Sequence, residues 1–208
     1  MKLFITGIST DVGKTVASAI VVQALGADYW KPVQAGDLDN TDSHKIQAWT
    51  RAGKIFPEAY RLNTPASPHH AAKLDNVQIN LDQILEPVTQ NHLVIEGAGG
   101  LLVPLNDTAT IADLIKPDYR VIVVSRYYLG SISHTLLTVG ALKTRGADIA
   151  GIIFNGEPNP ATEEAILSRT RLAVIGRILP EAEINPDVIS KYADAFRPNL
   201  LKLADGKI

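Results

Sequence analysis

Phe4-Ile5-Thr6-Gly7-Ile8-Ser9-Thr10-Asp11-Val12-Gly13-Lys14-Thr15 is a short β-branched and aromatic run that enters a polar loop and leaves it at Gly-Lys-Thr. An apolar segment follows. This is the strand–loop–helix layout of a phosphate-binding loop, and it points to a nucleoside triphosphate with a divalent cation. Amides at a helix N-terminus have no internal partners and attract anionic oxygens. Gly13 lets the backbone approach a phosphate, Lys14 can reach the β- and γ-phosphates, and the Thr15 hydroxyl can ligate Mg²⁺. Gly7 and Gly13 enclose five residues, one more than the usual pattern. Read alone, Gly-Lys-Thr could be an ordinary helix start; the strand before it and the apolar run after it favour the phosphate loop.

Outward from this loop, apolar strand-like runs alternate with helix-like runs. Strands are expected at 2–6, 29–33, 92–96, 120–125, 149–154 and 172–178. Helices are expected at 14–25, 42–52, 80–91, 131–145 and 160–170, with helical pieces after Asn185. Asp42 or Thr41 would cap the second helix. Asn80 would cap the third, with Leu81, Ile84, Leu85 and Val88 on one side. Continuous apolar strands such as Val121-Ile122-Val123-Val124 suit a sheet covered on both faces, and the alternation implies a parallel sheet with right-handed crossovers. The chain of 208 residues, 46% hydrophobic and 20% charged, suits one α/β domain spanning residues 1–208, without repeats or linkers.

Composition excludes several function classes. The net charge of −2 leaves no electrostatic footprint for nucleic acid. The lack of cysteine removes disulfides, zinc thiolates and thiol nucleophiles, and fits a reducing, cytoplasmic compartment. Residues 16–27, ending Ala24-Leu25-Gly26-Ala27, loosely mimic a signal peptide, but cleavage there would discard the Gly-Lys-Thr element. No apolar run approaches the ~20 residues of a membrane span.

In parallel α/β sheets ligands sit beyond the carboxyl ends of the strands, so polar residues after each strand should converge. Lys31, in Lys31-Pro32-Val33, either aims at bound phosphates or ends a strand in solvent. Glu96, in Glu96-Gly97-Ala98-Gly99-Gly100, reads as a metal-anchoring carboxylate beside glycines that let a loop pass close to a nucleotide; the bland alternative is a glycine-rich turn. Asp42 on its own is an ordinary helix-cap residue. Thr64 to His70 reads as a Pro-bounded loop, and adjacent His69 and His70 cannot share a helix face to bind metal. Gly130-Ser131-Ile132-Ser133-His134 opens a helix that could hold a carboxylate, or Ser131 is simply its cap. Asn155-Gly156 could meet a base edge or make a turn.

Taken in order, Gly7 to Thr15 with its longer spacing, Lys31-Pro32-Val33, Asn40-Thr41-Asp42, Ser67-Pro68-His69, Glu96-Gly97-Ala98-Gly99-Gly100, Leu129-Gly130 with His134, and Asn155 resemble the dethiobiotin synthetase family. The likeness implies a three-layer P-loop NTPase-like fold with a seven-stranded, mainly parallel sheet. It implies a homodimer whose substrate site lies at the subunit interface. It also implies a reaction: 7,8-diaminopelargonic acid, carbon dioxide and ATP with Mg²⁺ give dethiobiotin, ADP and phosphate. An amine forms a carbamate, the carbamate oxygen attacks the γ-phosphate, and the second amine closes the ring.

Residue roles are likewise what the resemblance implies. Thr15, Asp42 and Glu96 would hold Mg²⁺. Asp11, Val12, Gly13, Lys14, Thr15 and Val16 would wrap the triphosphate, with Gly97, Ala98 and Gly99 alongside. Lys14 and Lys31 would be catalytic, stabilising charge on the carbamate and the transferring phosphoryl group. Thr10, Lys31, Ala35 and Ser67 would line the diamine. Gly130, Ser131 and Ser133, from the partner subunit, would receive its carboxylate. Asn155 and Gly156 would meet the adenine, and Pro180, Glu181, Ala182 and Asp187 would complete the nucleotide pocket, with one residue inserted before Pro180. Two positions depart from the pattern. Ala35 stands where Ser or Thr is common, so a hydroxyl contact is missing or supplied by Gln34 or water. Asp11 stands where Glu is common.

Two rival classes remain. A partition or switch-type P-loop ATPase would carry a second lysine early in the loop, where this chain has Ser9. An amidotransferase-type synthetase would need a Cys nucleophile from a partner chain.

Overall fold

The computed structural model describes residues 1–51 and 53–204. In chain order the elements are β1 (Lys2–Gly7), α1 (Lys14–Leu25), β2 (Asp28–Trp30), β3 (Val33–Ala35), α2 (Asp42–Trp49), β4 (Ile55–Phe56), β5 (Tyr60–Leu62), α3 (Pro68–Leu74), β6 (Leu93–Gly100), β7 (Tyr119–Arg126), α4 (Ser131–Thr144), β8 (Asp148–Asn155), α5 (Pro160–Thr170), β9 (Val174–Ile178) and α6 (Pro186–Ala204). Seven strands form one sheet in the order β4-β2-β6-β1-β7-β8-β9, and every pairing in it is parallel. β3 and β5 form a separate parallel pair.

Topology dictates where the site lies. β1 leads through α1 to β2 on one side, and β7 leads through α4 to β8 on the other. Right-handed crossovers in opposite directions put α1 and α4 on opposite faces. Accordingly α1 packs on α2 and α6, while α4 packs on α5. The direction of winding switches at β1, and a crevice opens at the carboxyl ends of the strands flanking such a point. The central strands are covered on both sides: Val121, Ile122, Val123 and Val124 are all fully buried. Burial of each such side chain contributes roughly 1.5–3 kcal/mol. α1 is apolar around most of its circumference because it lies between the sheet and α6; Gly26, at φ 58°, ends it with a bond from its amide to the Val22 carbonyl.

Several local expectations are corrected. The helix expected at 80–91 is only a 3₁₀ turn, Leu81–Gln83, with Asn80 capping the Asp82 amide. Pro87 explains the failure, since it disfavours helical geometry at Glu86 and removes an amide. Leu85 and Val88 are consequently exposed, and Glu86 is drawn instead to Lys2, Lys116 and Tyr119. The strand expected at 29–33 divides at Pro32, whose carbonyl accepts from the amides of Ala59 and Tyr60. Helix α2 stops at Trp49; Ala52, its expected end, lies outside the described residues. Part of the expected loop at 64–70 is helical, because Pro68 starts α3 where a missing amide costs nothing. The tail is one helix of 19 residues with Pro198 inside it, not separate pieces.

Candidate functional site

The loop between β1 and α1 is shaped by backbone geometry. Gly13 sits at φ 92°, and a Cβ there would come within 2.2 Å of the Asn155 side-chain nitrogen. Helix α1 begins without a side-chain cap and without an acidic residue in its first turn, which leaves its amides for an anion. Asn155 crosses from the end of β8 and donates to the Val12 carbonyl at 2.9 Å. Arg126, at the end of β7, donates to the Asp11 carbonyl at 3.0 Å. The loop is therefore held from two neighbouring strands before any ligand arrives.

Beneath it lies a compact charged cluster. The Thr15 hydroxyl donates to Glu96 Oε1 at 3.0 Å. The Lys31 ammonium donates to the same Glu96 oxygen at 3.2 Å and to Asp42 Oδ2 at 2.5 Å. Lys45 reaches Asp42 Oδ1 at 3.4 Å. The Tyr29 hydroxyl donates to the other Glu96 oxygen, Oε2, at 3.0 Å. Asp42 is free for this role because Thr41 is the cap of α2: its hydroxyl accepts the His44 amide at 3.2 Å.

Electrostatics follow from burial. Burial would depress the Lys31 ammonium, but Glu96 and Asp42 outweigh it and hold the group above the ordinary lysine value. Burial would raise the Asp42 carboxyl, yet the Lys31 charge beside it carries it below the usual range, to about 2. Lys14 is different. Its nearest hydrogen-bond partner is the Ser9 carbonyl at 3.1 Å, and burial, aided by the Lys31 charge, lowers it to about 8 despite Glu96. Lys14 is a buried cation bonded to a neutral carbonyl, and an anion entering the loop would stabilise its charge.

The cluster floors a crevice of about 710 Å³ lined by Thr10, Asp11, Gly13, Lys14, Thr15, Val16, Lys31, Ala35, Asp42, Ser67, Glu96, Ala98 and Gly99. Val12 and Gly97 support it from outside, Val12 buried and Gly97 packed on Phe4 and Ile111. Asn155 and Gly156 lie at the rim, where the Gly156 amide donates to the Ile178 carbonyl, so the loop holding Pro180, Glu181 and Ala182 follows on the adjoining strand. Glu181 is engaged by Lys191 at 2.9 Å and Tyr192 at 2.7 Å, and Asp187 is exposed in the first turn of α6. None of these four residues lines the crevice.

Gly130, Ser131 and Ser133 also stand apart from the crevice. Gly130, at φ 102°, is the residue before α4, and Ser131 does not cap it. Ser133 borders an apolar groove of about 930 Å³ that runs past Ser9, Thr10, Leu102 and Leu137. Thr10 belongs to both cavities. Gln34 does not stand in for the hydroxyl missing at Ala35: its amide donates to the Gly36 carbonyl at 2.9 Å and its oxygen faces the Asp42 amide at 3.4 Å.

Thr15, Asp42 and Glu96 supply only hard oxygen donors around a position already favourable to a cation, as Lys31 shows. Among the described residues no group of three or more His, Cys, Asp or Glu could hold a metal without help. That is the donor set of Mg²⁺ sites completed by phosphate oxygens and water. Tyr29, Lys45 and Arg126 were not singled out by sequence motifs. Tyr29 carried a usable signal: in a strand, residues two apart share a face, which puts Tyr29 beside Lys31. Tyr29 pairs with Val94, and Glu96 follows two residues later on the same face.

Known proteins bear on this geometry. Residues 1–188 match the model of a family described as an AAA domain. The chain is 53% identical, over 96% of its length and 98% of the relative's, to an ATP-dependent dethiobiotin synthetase of Christiangramia forsetii. It is 53% identical, over 92% and 95% of the two chains, to the protein of that name from Cytophaga hutchinsonii. A solved structure of a plasmid partition protein from Borrelia burgdorferi, bound to AMPPNP, superposes with a TM-score of 0.59, covering 100% of this chain and 98% of that one at 14% identity. That likeness speaks for the fold alone.

Proposed function

The chain belongs to the dethiobiotin synthetase family, and we propose on that footing that it closes the ureido ring of dethiobiotin from 7,8-diaminopelargonic acid, carbon dioxide and ATP. The observation that carries this reading is the meeting of Lys31 with Asp42 and Glu96 directly below the Gly-Lys-Thr loop. A carbamate and a γ-phosphate are both anionic, so bringing one oxygen to bear on the other phosphorus needs cations fixed in advance. Two lysines and a metal site on one crevice floor meet that need.

One amine of the substrate takes up carbon dioxide and loses a proton, giving the carbamate. Lys31, beside Ala35 and Ser67, holds the carbamate oxygen. Lys14 and the amides of residues 11–16 hold the triphosphate. The carbamate oxygen attacks the γ-phosphorus, ADP leaves, and a carbamic–phosphoric anhydride remains. The second amine attacks the carbamoyl carbon, loses a proton and expels phosphate, which closes the ring. Mg²⁺, held by Thr15, Asp42 and Glu96, would neutralise charge on the phosphates. Asn155, Gly156 and the loop after β9, with Pro180, Glu181, Ala182 and Asp187, would receive the base. No side chain need act as general base on the attacking oxygen, since a carbamate is already anionic.

The protein would act as a cytoplasmic homodimer. Leu102 and Leu137 are exposed on the apolar groove that holds Thr10 and Ser133, an arrangement that supports a second copy seated there and a substrate carboxylate received at the start of its α4. Among the described residues no helix is long and apolar enough to cross a membrane. Incubation with the diamine, bicarbonate and Mg²⁺–ATP should release phosphate in step with dethiobiotin. ATP turnover that ignores the diamine and answers to liposomes would instead favour the switch-type reading.

A further inference from the structure

We propose that Tyr29 restricts Glu96 to presenting a single oxygen to the crevice, and thereby makes this chain select Mg²⁺ over Ca²⁺. Tyr29 is fully buried in β2, behind the crevice floor. Its hydroxyl lies 3.0 Å from Glu96 Oε2, while Thr15 and Lys31 both converge on Oε1, at 3.0 and 3.2 Å. The two oxygens of one carboxylate therefore face different partners. Oε1 belongs to the crevice; Oε2 is engaged from behind by a phenol whose ring is locked in the core.

This division matters because the two cations ask for different things. Mg²⁺ demands near-octahedral single-oxygen ligation, whereas Ca²⁺ takes more oxygens and readily accepts a carboxylate through both. For Glu96 to close on a cation with both oxygens, the Tyr29 bond would have to break and leave a buried hydroxyl without a partner, which is costly. Tyr29 is thus a positioning residue acting through Glu96. The inference rests on the reading of Glu96 as a metal ligand.

Calorimetry of ADP binding with Mg²⁺, with Ca²⁺ and with chelator, on wild-type protein and Tyr29→Phe, tests it. Wild-type protein should bind ADP more tightly with Mg²⁺ than with Ca²⁺. Tyr29→Phe should cut that ratio by about tenfold, as loss of a ligand's hydrogen-bond partner does elsewhere, and leave metal-free ADP affinity unchanged. An unaltered ratio, or an equal loss that includes metal-free ADP, overturns the inference and leaves the metal reading standing. ADP binding by wild-type protein that ignores both cations removes the metal reading and the inference together. Should Tyr29→Phe fail to fold, crystals of the wild-type Mg²⁺–ADP complex decide: Tyr29 still bonded to Oε2 supports the inference, and Glu96 ligating through both oxygens overturns it.

Discussion

Lys31 places its ammonium 3.2 Å from Glu96 Oε1 in a part of the crevice where the Glu96 side chain has 0% exposure. With Asp42 at 2.5 Å, two carboxylates share one lysine. Breaking a buried pair by removing one partner typically costs about 3–5 kcal/mol, because the remaining charge is left uncompensated. Lys31→Met should therefore lower the stability of the nucleotide-free protein by about that amount. Millimolar Mg²⁺ should restore part of the loss, since it can take the vacated place between the carboxylates. Urea denaturation with and without Mg²⁺ checks both halves. A Lys31→Met protein as stable as wild type in chelator would show that the lysine is not what holds these carboxylates.

The same lysine has a kinetic consequence. Fixed donors aimed at developing charge each supply roughly 10²–10³ in rate. Lys14→Ala and Lys31→Ala should each lower turnover by about 10²-fold or more. Near-wild-type turnover in Lys31→Ala would remove it from the catalytic residues and leave it a structural counter-ion.

Much of this cluster is legible in the sequence, because Thr15, Lys31 and Asp42 lie just beyond a strand or at a helix start and Glu96 closes the apolar part of β6, toward the strand ends where a parallel sheet collects its ligands. Asp42 illustrates the limit. Sequence alone allowed it to be a cap, and only the bond from the His44 amide to Thr41 shows that Thr41 has that task. The segment after Asn80 departs from its pattern for a different reason: its apolar spacing is helical, but Pro87 interrupts it, and Glu86 gains more from two lysines and a tyrosine. Tyr29 shares a strand face with Lys31, yet a buried aromatic in a strand reads as core until its hydroxyl is traced to Glu96.

Glu86 makes a prediction at the opposite end of the sheet. Burial alone would raise its carboxyl, but hydrogen bonds from Lys2, Tyr119 and Lys116 reverse this and hold it at about 2. Its folded pKa is thus below its unfolded value, so its contribution is fully present above pH ~4.5 and is lost as pH falls toward ~2. Asp118 also pairs with Lys2, at 2.7 Å. Stability between these limits should fall with a shallower slope in Glu86→Gln than in wild type, and the two proteins should differ most near neutrality. Denaturation midpoints across pH 2–7 give the comparison; parallel profiles would mean that Glu86 adds no acid sensitivity.

The groove beside the crevice supplies the last test. Leu137 and Leu102 are more than half exposed, and Thr10 lies where groove and crevice meet. A soluble monomer rarely leaves such a contiguous apolar face in water. If a second copy covers it, a charge at its centre is buried without a partner on association and opposes the dimer. Leu137→Asp should therefore sediment as a monomer where wild type sediments as a dimer. It should raise the KM for the diamine, because Ser133 and the start of α4 from the second copy would no longer meet the substrate carboxylate. ADP affinity should be unchanged, since every residue of the phosphate loop comes from one chain. A wild-type monomer with full activity would separate this groove from the reaction altogether.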